Sequence, residues 1–179
     1  MPTVAEFVEL IAERTGEPLP TVRMMARRLV DDDVLPKATG RRVPRVTHQQ
    51  AAMLLLTVLA GPPVKDATRR ATAYGALLHN GRRGGTALEA VVYLLRRLPK
   101  DPAAPDWSIE VCTNFPQLVL KQKLHTPQMP HPSERTDSGD LYIPSGEDLM
   151  HWPSDDLKRF ACLSGIRLHN IACALADDE

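Results

Sequence analysis

The chain has 179 residues, which suffices for one sizeable hydrophobic core or for two small modules. Its 22 lysine and arginine residues balance 22 aspartate and glutamate residues, but residues 51–100 are basic and residues 101–179 are acidic. No segment approaches the roughly 18 consecutive apolar residues of a membrane-spanning helix, and the N-terminus lacks the pattern of a secretory signal. We therefore expect a cytoplasmic protein.

The N-terminal residues predict two consecutive amphipathic helices. Apolar residues recur at spacings of three and four over residues 4–14, and Gly16 stands where a left-handed cap ends a helix. A second helix begins near Pro20, because proline in the first turn gives up an amide that has no partner there, and it runs to about residue 33. Three arginines lie off the apolar face of this second helix: Arg23, Arg27 and Arg28.

A basic, turn-rich segment over residues 34–45 follows the second helix and precedes a third helix over residues 47–59. Three arginines beside three aspartates, residues 31–33, are also compatible with a plain solvated face. The segment raises the number of basic groups to seven, which favours duplex DNA, because guanidinium groups bind guanine edges and phosphates. It contributes four of them: Lys37, Arg41, Arg42 and Arg45. This order of elements, a helix, a basic hairpin-like arm and another helix, predicts a winged helix-turn-helix.

About the first 60 residues resemble the DNA-binding domain of the MerR-like winged-helix superfamily. The stretches that carry the resemblance are Ile11-Ala12-Glu13-Arg14-Thr15-Gly16, Pro20-Thr21-Val22-Arg23, Val34-Leu35-Pro36, Gly40-Arg41-Arg42 and Thr47. The resemblance implies that Thr21, Arg23, Arg27 and Arg28 lie on a recognition helix and that Arg41, Arg42 and Arg45 lie on a wing. Phage excisionases and some phage terminase small subunits share this domain. The resemblance therefore implies DNA binding but does not fix a single biological role.

The residues that follow predict a helical extension over residues 61–99. The helix over residues 47–59 is apolar around nearly its whole circumference, so other segments must cover it on most sides. Helical patterns over residues 66–78 and 86–98 are expected to do so. Between them, residues 81–85 contact a DNA backbone or form a plain turn, since they lack the ending of a nucleotide-binding loop.

Residues 100–179 predict an α+β half for dimerisation or partner binding. Alternating patterns indicate strands over residues 107–112, 117–123 and 141–143, with a mobile loop over residues 124–140. A last helix begins at residue 154 or 155 and extends to Leu175. The fold class expected for the whole chain is mostly α with a small β component, a winged helix-turn-helix N-terminal half (residues 1–60) and an α+β C-terminal half.

No catalytic constellation and no metal site is predicted. The histidines His125, His131 and His151 lack the spacing of a helical metal site, and no glycine-bracketed serine is present. The cysteines Cys112, Cys162 and Cys173 are expected to be buried free thiols. We therefore expect a protein that is not an enzyme and that needs no cofactor.

The function predicted from the sequence is sequence-specific binding of double-stranded DNA by a homodimeric transcriptional regulator, with a prophage or mobile element as its setting. Two alternatives stay open. One is a phage DNA-packaging or recombination accessory of the terminase small subunit or excisionase type. The other is a protein-interaction adaptor whose winged helix does not bind DNA, as the balanced net charge allows.

Overall fold

Six α-helices and one five-stranded antiparallel sheet form the part of the chain that the computed structural model describes, residues 1–38, 43–80, 85–123, 137–144 and 159–176. The fold is therefore mixed α/β, with more helix than strand. The helices are α1 (Val4–Thr15), α2 (Leu19–Asp31), α3 (His48–Ala60), α4 (Ala67–Gly75), α5 (Ala87–Arg97) and α6 (Gly165–Ala176). The strands are β1 (Leu78–His79), β2 (Trp107–Cys112), β3 (Gln117–Lys123), β4 (Asp137–Ile143) and β5 (Phe160–Ser164).

Local capping signals set the ends of several helices. Helices α1, α3 and α5 each begin with a threonine whose hydroxyl accepts from the third helical amide, while the glutamate or glutamine at that position accepts from the threonine amide. Helix α1 ends at Gly16, whose φ of 81° lies in the left-handed region that glycine adopts without strain. These short-range interactions explain why α1, α3 and α5 lie within a few residues of their predicted bounds.

Helix α3 is the centre of the hydrophobic core. Ten of its residues are buried, and it contacts α1, α2, α4 and α5 together with strands β2 and β5. Leu54, Leu55 and Leu56 are fully buried, and each contributes about 2 kcal/mol through the apolar surface it removes from water. The prediction that neighbouring segments cover this helix on most sides is confirmed.

The sheet has the strand order β1-β4-β3-β2-β5. Its residues alternate between a buried face, which includes Ile109, Leu120 and Leu163, and a more exposed face on which Lys121 Nζ lies 2.8 Å from a Glu110 carboxylate oxygen. Helix α6 contacts α1, α5 and β2, so the buried residues of the N-terminal helices and of the sheet belong to one hydrophobic cluster.

The structure corrects the predicted C-terminal helix. Residues 160–164 form strand β5, which pairs with β2 and places Cys162 opposite Glu110, and α6 begins only at Gly165. Apolar residues in so short a window fit a helix or a strand, and pairing with β2 decides between them. Gly165 marks the change, because a Cβ there would collide with the carbonyl oxygens of Ala104 and Trp107. Residues 154–158 lie outside the described residues.

Three smaller expectations also change. Residues 137–140, predicted as the end of a mobile loop, belong to β4, where Gly139 pairs with Lys121 of β3; residues 124–136 lie outside the described residues. The predicted helix over residues 66–78 ends at Gly75, because Leu78 and His79 pair with the end of β4. All three cysteines are free, but only Cys112 is buried, whereas Cys162 is exposed on the edge strand β5 and Cys173 is partly exposed.

Within the described ranges, no helix combines the length and the hydropathy that crossing a membrane requires.

Candidate nucleic-acid interface

Helix α2 has one apolar face and one basic face. Val22, Met25, Ala26 and Leu29 are buried against the core, whereas all three arginines of the helix are exposed. Helical geometry explains the separation, since residues three and four apart lie on one side. The helix begins after Pro18, whose carbonyl accepts from the amide of the half-buried Thr21 at 2.9 Å. The predicted site residues Thr21, Arg23, Arg27 and Arg28 thus all belong to one exposed helix or its first turn.

The segment after α2 is attached to the rest of the domain at both of its ends. Leu35 is buried, and its amide donates to the Leu29 carbonyl oxygen at 3.0 Å, which holds the exit from α2 against the core. On the return, Arg45 forms an isolated antiparallel bridge with Thr3, and the Val46 amide donates to the Pro2 carbonyl oxygen at 2.9 Å. The chain between these two anchors is therefore an arm that starts and ends beside α1 and α2.

Of the four basic residues predicted on this arm, the structure describes two. Lys37 is exposed. Arg45 is exposed as well, and its guanidinium donates to the carbonyl oxygen of Met1, so part of its hydrogen-bonding capacity is used within the protein. Arg41 and Arg42 lie outside the described residues, together with Thr39 and Gly40.

The arginines of α2 differ in their partners. Arg23 lies 3.1 Å from Glu9 of α1, and Arg28 lies 3.0 Å from Asp32 one turn later. Both pairs are solvent-exposed, so each contributes at most about 1 kcal/mol to stability. Another anion can therefore replace the carboxylate beside either arginine. Arg27 makes no ion pair or hydrogen bond with any described residue. Arg27 is thus the cation of α2 most available to a ligand.

Sequence reasoning missed Glu9. This glutamate lies on the exposed side of α1, and its contact with Arg23 spans 14 positions. No local sequence pattern predicts such a contact, because it depends on how α1 and α2 pack. Glu9 therefore places a negative charge next to one of the three arginines of the predicted recognition helix.

A groove of about 460 Å³ lies between α1, α2 and the two described ends of the arm. Its lining is mostly apolar and includes Val8, Val30 and Val43, but Glu9, Arg23 and Arg27 also contribute to it. A groove of this volume is large enough for a small molecule or for part of a macromolecule. The basic face of α2 therefore adjoins an apolar surface.

Among the residues that the structure describes, no group of three histidine, cysteine, aspartate or glutamate side chains could hold a metal ion. His125, His131 and His151 lie outside these residues.

No protein-family model matches the chain, and neither a curated protein nor a solved structure shows significant similarity to it. The case for a function therefore depends on the geometry of the molecule.

Proposed function

We propose that the protein binds double-stranded DNA through α2 and the arm that follows it, as a winged helix-turn-helix, and that it regulates transcription. The observation that carries the proposal is the placement of Arg23, Arg27 and Arg28 on the exposed face of a helix whose opposite face is buried. The anchored arm beside that helix supports it, since a wing needs both of its ends fixed to the domain.

The dimensions of α2 suit a major groove. Its 13 residues extend about 20 Å, and a major groove about 12 Å wide admits one helix. Arg23 and Arg27 are separated by about 6 Å along the helix axis, close to the rise of two base pairs. In this arrangement Arg23 and Arg27 read base edges, while Lys37, Arg41, Arg42 and Arg45 contact phosphates or the minor groove.

A homodimer would complete this proposal, because a single winged helix gains specificity by pairing two half-sites. The C-terminal half would supply the contact between subunits. Light scattering that shows a monomer, both free and on DNA, would contradict this part of the proposal alone.

The first experiment selects bound duplexes from a random pool at low salt and then measures affinity for the selected site by fluorescence anisotropy. We expect Arg27→Ala to weaken binding by about tenfold or more, which corresponds to about 1–3 kcal/mol for a base contact. Arg69→Ala is the control, because Arg69 is also an exposed helical arginine but lies on α4, which is not part of the proposed interface. Wild-type protein that binds no duplex at low salt would overturn the proposal.

The arm is tested through the dependence of affinity on salt. Removing Arg41 and Arg42 together should weaken binding to all sequences and lower the slope of log affinity against log salt by about two units. An unchanged slope would contradict the assignment of these residues to phosphate contacts.

The apolar groove favours a second candidate function, a protein-interaction adaptor. Two of the three arginines of α2 are already paired with carboxylates, and the third adjoins an apolar surface of a kind that protein partners bind. In the adaptor, the same face of α2 would bind an apolar segment of another protein, and the free protein would bind no duplex at low salt.

A further inference from the structure

A second cavity lies away from α2, between helix α5 and strands β2, β3 and β4. Its volume is about 110 Å³. That is enough space for several water molecules or for a small ligand. Tyr93 and Arg97 of α5 line it from one side, and Trp107, Asp140 and Tyr142 line it from the sheet. The cavity is thus lined by two of the three tyrosines of the chain and by one of its two tryptophans.

The cavity contains one charge of each sign. Asp140 pairs in register with the buried Leu120, so its side chain starts from the buried face of the sheet, and its carboxylate remains 60% exposed at the edge. The imidazole of His79 lies beside it, with Nε2 at 3.3 Å from Oδ1. Arg97 Nε lies 3.0 Å from Oδ2 of the buried Asp101, although that oxygen accepts no well-aligned hydrogen bond. The guanidinium has further N–H groups, for which the described residues provide no partner.

Two further donors, in residues that line the cavity, have no acceptor in the described part of the chain. Tyr142 is only 7% exposed, and its hydroxyl makes no hydrogen bond with a described residue, yet the oxygen is not sealed from solvent. Burial, and then the nearby charge of Asp140, raise the pKa of this phenol, so it stays protonated and can donate at neutral pH. The indole Nε1 of Trp107 is buried and has no hydrogen-bond partner among the residues that the structure describes. Native proteins satisfy nearly all buried donors, so a buried donor without a partner, in a residue that lines a cavity, indicates a ligand that accepts hydrogen bonds.

We propose that this cavity binds a small zwitterionic α-amino acid. Its carboxylate would accept from the Arg97 guanidinium and the Tyr142 hydroxyl, and its ammonium would pair with Asp140. The rings of Tyr93 and Trp107 flank the remaining atoms. Arg97 has N–H groups beyond the Nε that faces Asp101, so a zwitterion would supply an anion to it. Among the described residues, Asp140 has only the imidazole of His79 beside it, so the same zwitterion would supply a cation there. A ligand of the size of glycine, alanine or serine suits a cavity of this volume. This proposal is independent of DNA binding.

The test titrates alanine into isotope-labelled full-length protein and follows the backbone amides of α5 and β4 by two-dimensional NMR. Ethylamine and propionate are the matched probes, because each retains one of the two charges of alanine. We expect saturable shifts with alanine at a Kd of about 1 mM or below, and at least tenfold weaker binding of both analogues. The absence of saturable shifts, or equal binding of ethylamine or propionate, would overturn the proposal.

Variants assign the contacts. Asp140→Asn and Arg97→Gln should each weaken alanine binding by about tenfold or more, which is the effect of losing a charge-assisted hydrogen bond. Tyr142→Phe keeps the ring and removes only the unpartnered hydroxyl, so a several-fold loss is expected without a loss of folding. Arg96→Gln is the control, because Arg96 is the exposed neighbour of Arg97 and does not line the cavity. If Asp140→Asn and Tyr142→Phe both bind alanine as tightly as the wild-type protein does, the site is refuted.

Discussion

Helices α2 and α3 have the same length but opposite surroundings. Each has 13 residues, yet α3 buries ten of them and α2 buries four. Helix α3 contains no lysine, arginine, aspartate or glutamate, whereas α2 presents three arginines to solvent. Helix α3 therefore stabilises the fold, whereas the exposed side of α2 consists of side chains that the core does not hold in place.

The largest expected effect concerns the core side of this comparison. Leu55→Ala in α3 should lower the free energy of unfolding by about 2–5 kcal/mol, because it removes a fully buried side chain and leaves a cavity. Met24→Ala in α2 should change it by less than about 0.5 kcal/mol, because Met24 is 52% exposed. Urea unfolding followed by circular dichroism measures both. Similar losses for the two variants would contradict the comparison.

The two helices should also differ at their N-terminal ends. Thr47→Ala removes the hydroxyl that accepts from the Gln50 amide at the start of α3 and should cost about 1 kcal/mol. Helix α2 begins without a side-chain cap, so Thr21→Ala should cost clearly less. The midpoints of urea unfolding compare the two variants. A larger loss at Thr21 would show that the start of α2 depends on an interaction other than capping.

A smaller effect is expected from the ion pair between α1 and α2. Because Glu9 and Arg23 are both exposed, Glu9→Gln should reduce stability by less than about 0.5 kcal/mol. If α2 binds DNA as proposed, the same substitution should raise affinity at low salt, since it removes a negative charge beside the phosphates. Anisotropy at two salt concentrations tests this. Weaker binding of Glu9→Gln would instead identify Glu9 as a residue that positions Arg23.

The smallest effect concerns pH and the first turn of α1. The Thr3 amide and hydroxyl bond the Glu6 carboxylate and lower its pKa from the ordinary value of 4.5. The stabilisation is therefore complete above pH 4.5 and is lost as the pH falls through the lower pKa of the folded protein. The melting temperature of the wild-type protein minus that of Glu6→Gln should therefore decrease between neutral pH and pH 3. A constant difference across this range would show that ionisation of Glu6 does not matter.

The local sequence was sufficient for the elements whose signals are short-range. Capping threonines and periodic apolar residues place α1, α3 and α5 within a few residues of their observed bounds, and alternation predicts β2 and β3 with the bounds observed. The nearly uniform hydrophobicity of α3 correctly predicts that it is covered on most sides. The exposure of the three arginines of α2 also follows from helical spacing alone.

Tertiary structure decided the rest, because the deciding partners are distant in sequence. Strand β5 forms where a helix was predicted, since β2 offers it backbone hydrogen bonds about 50 positions away. The Glu9–Arg23 pair and the cavity between α5 and the sheet exist only once separate elements pack, so neither has a local pattern. Local signals in the sequence therefore predict the capped and periodic elements and the basic face of α2. Long-range packing determined which strands pair and which charged groups meet, since the free energy of those contacts depends on residues that no local window includes.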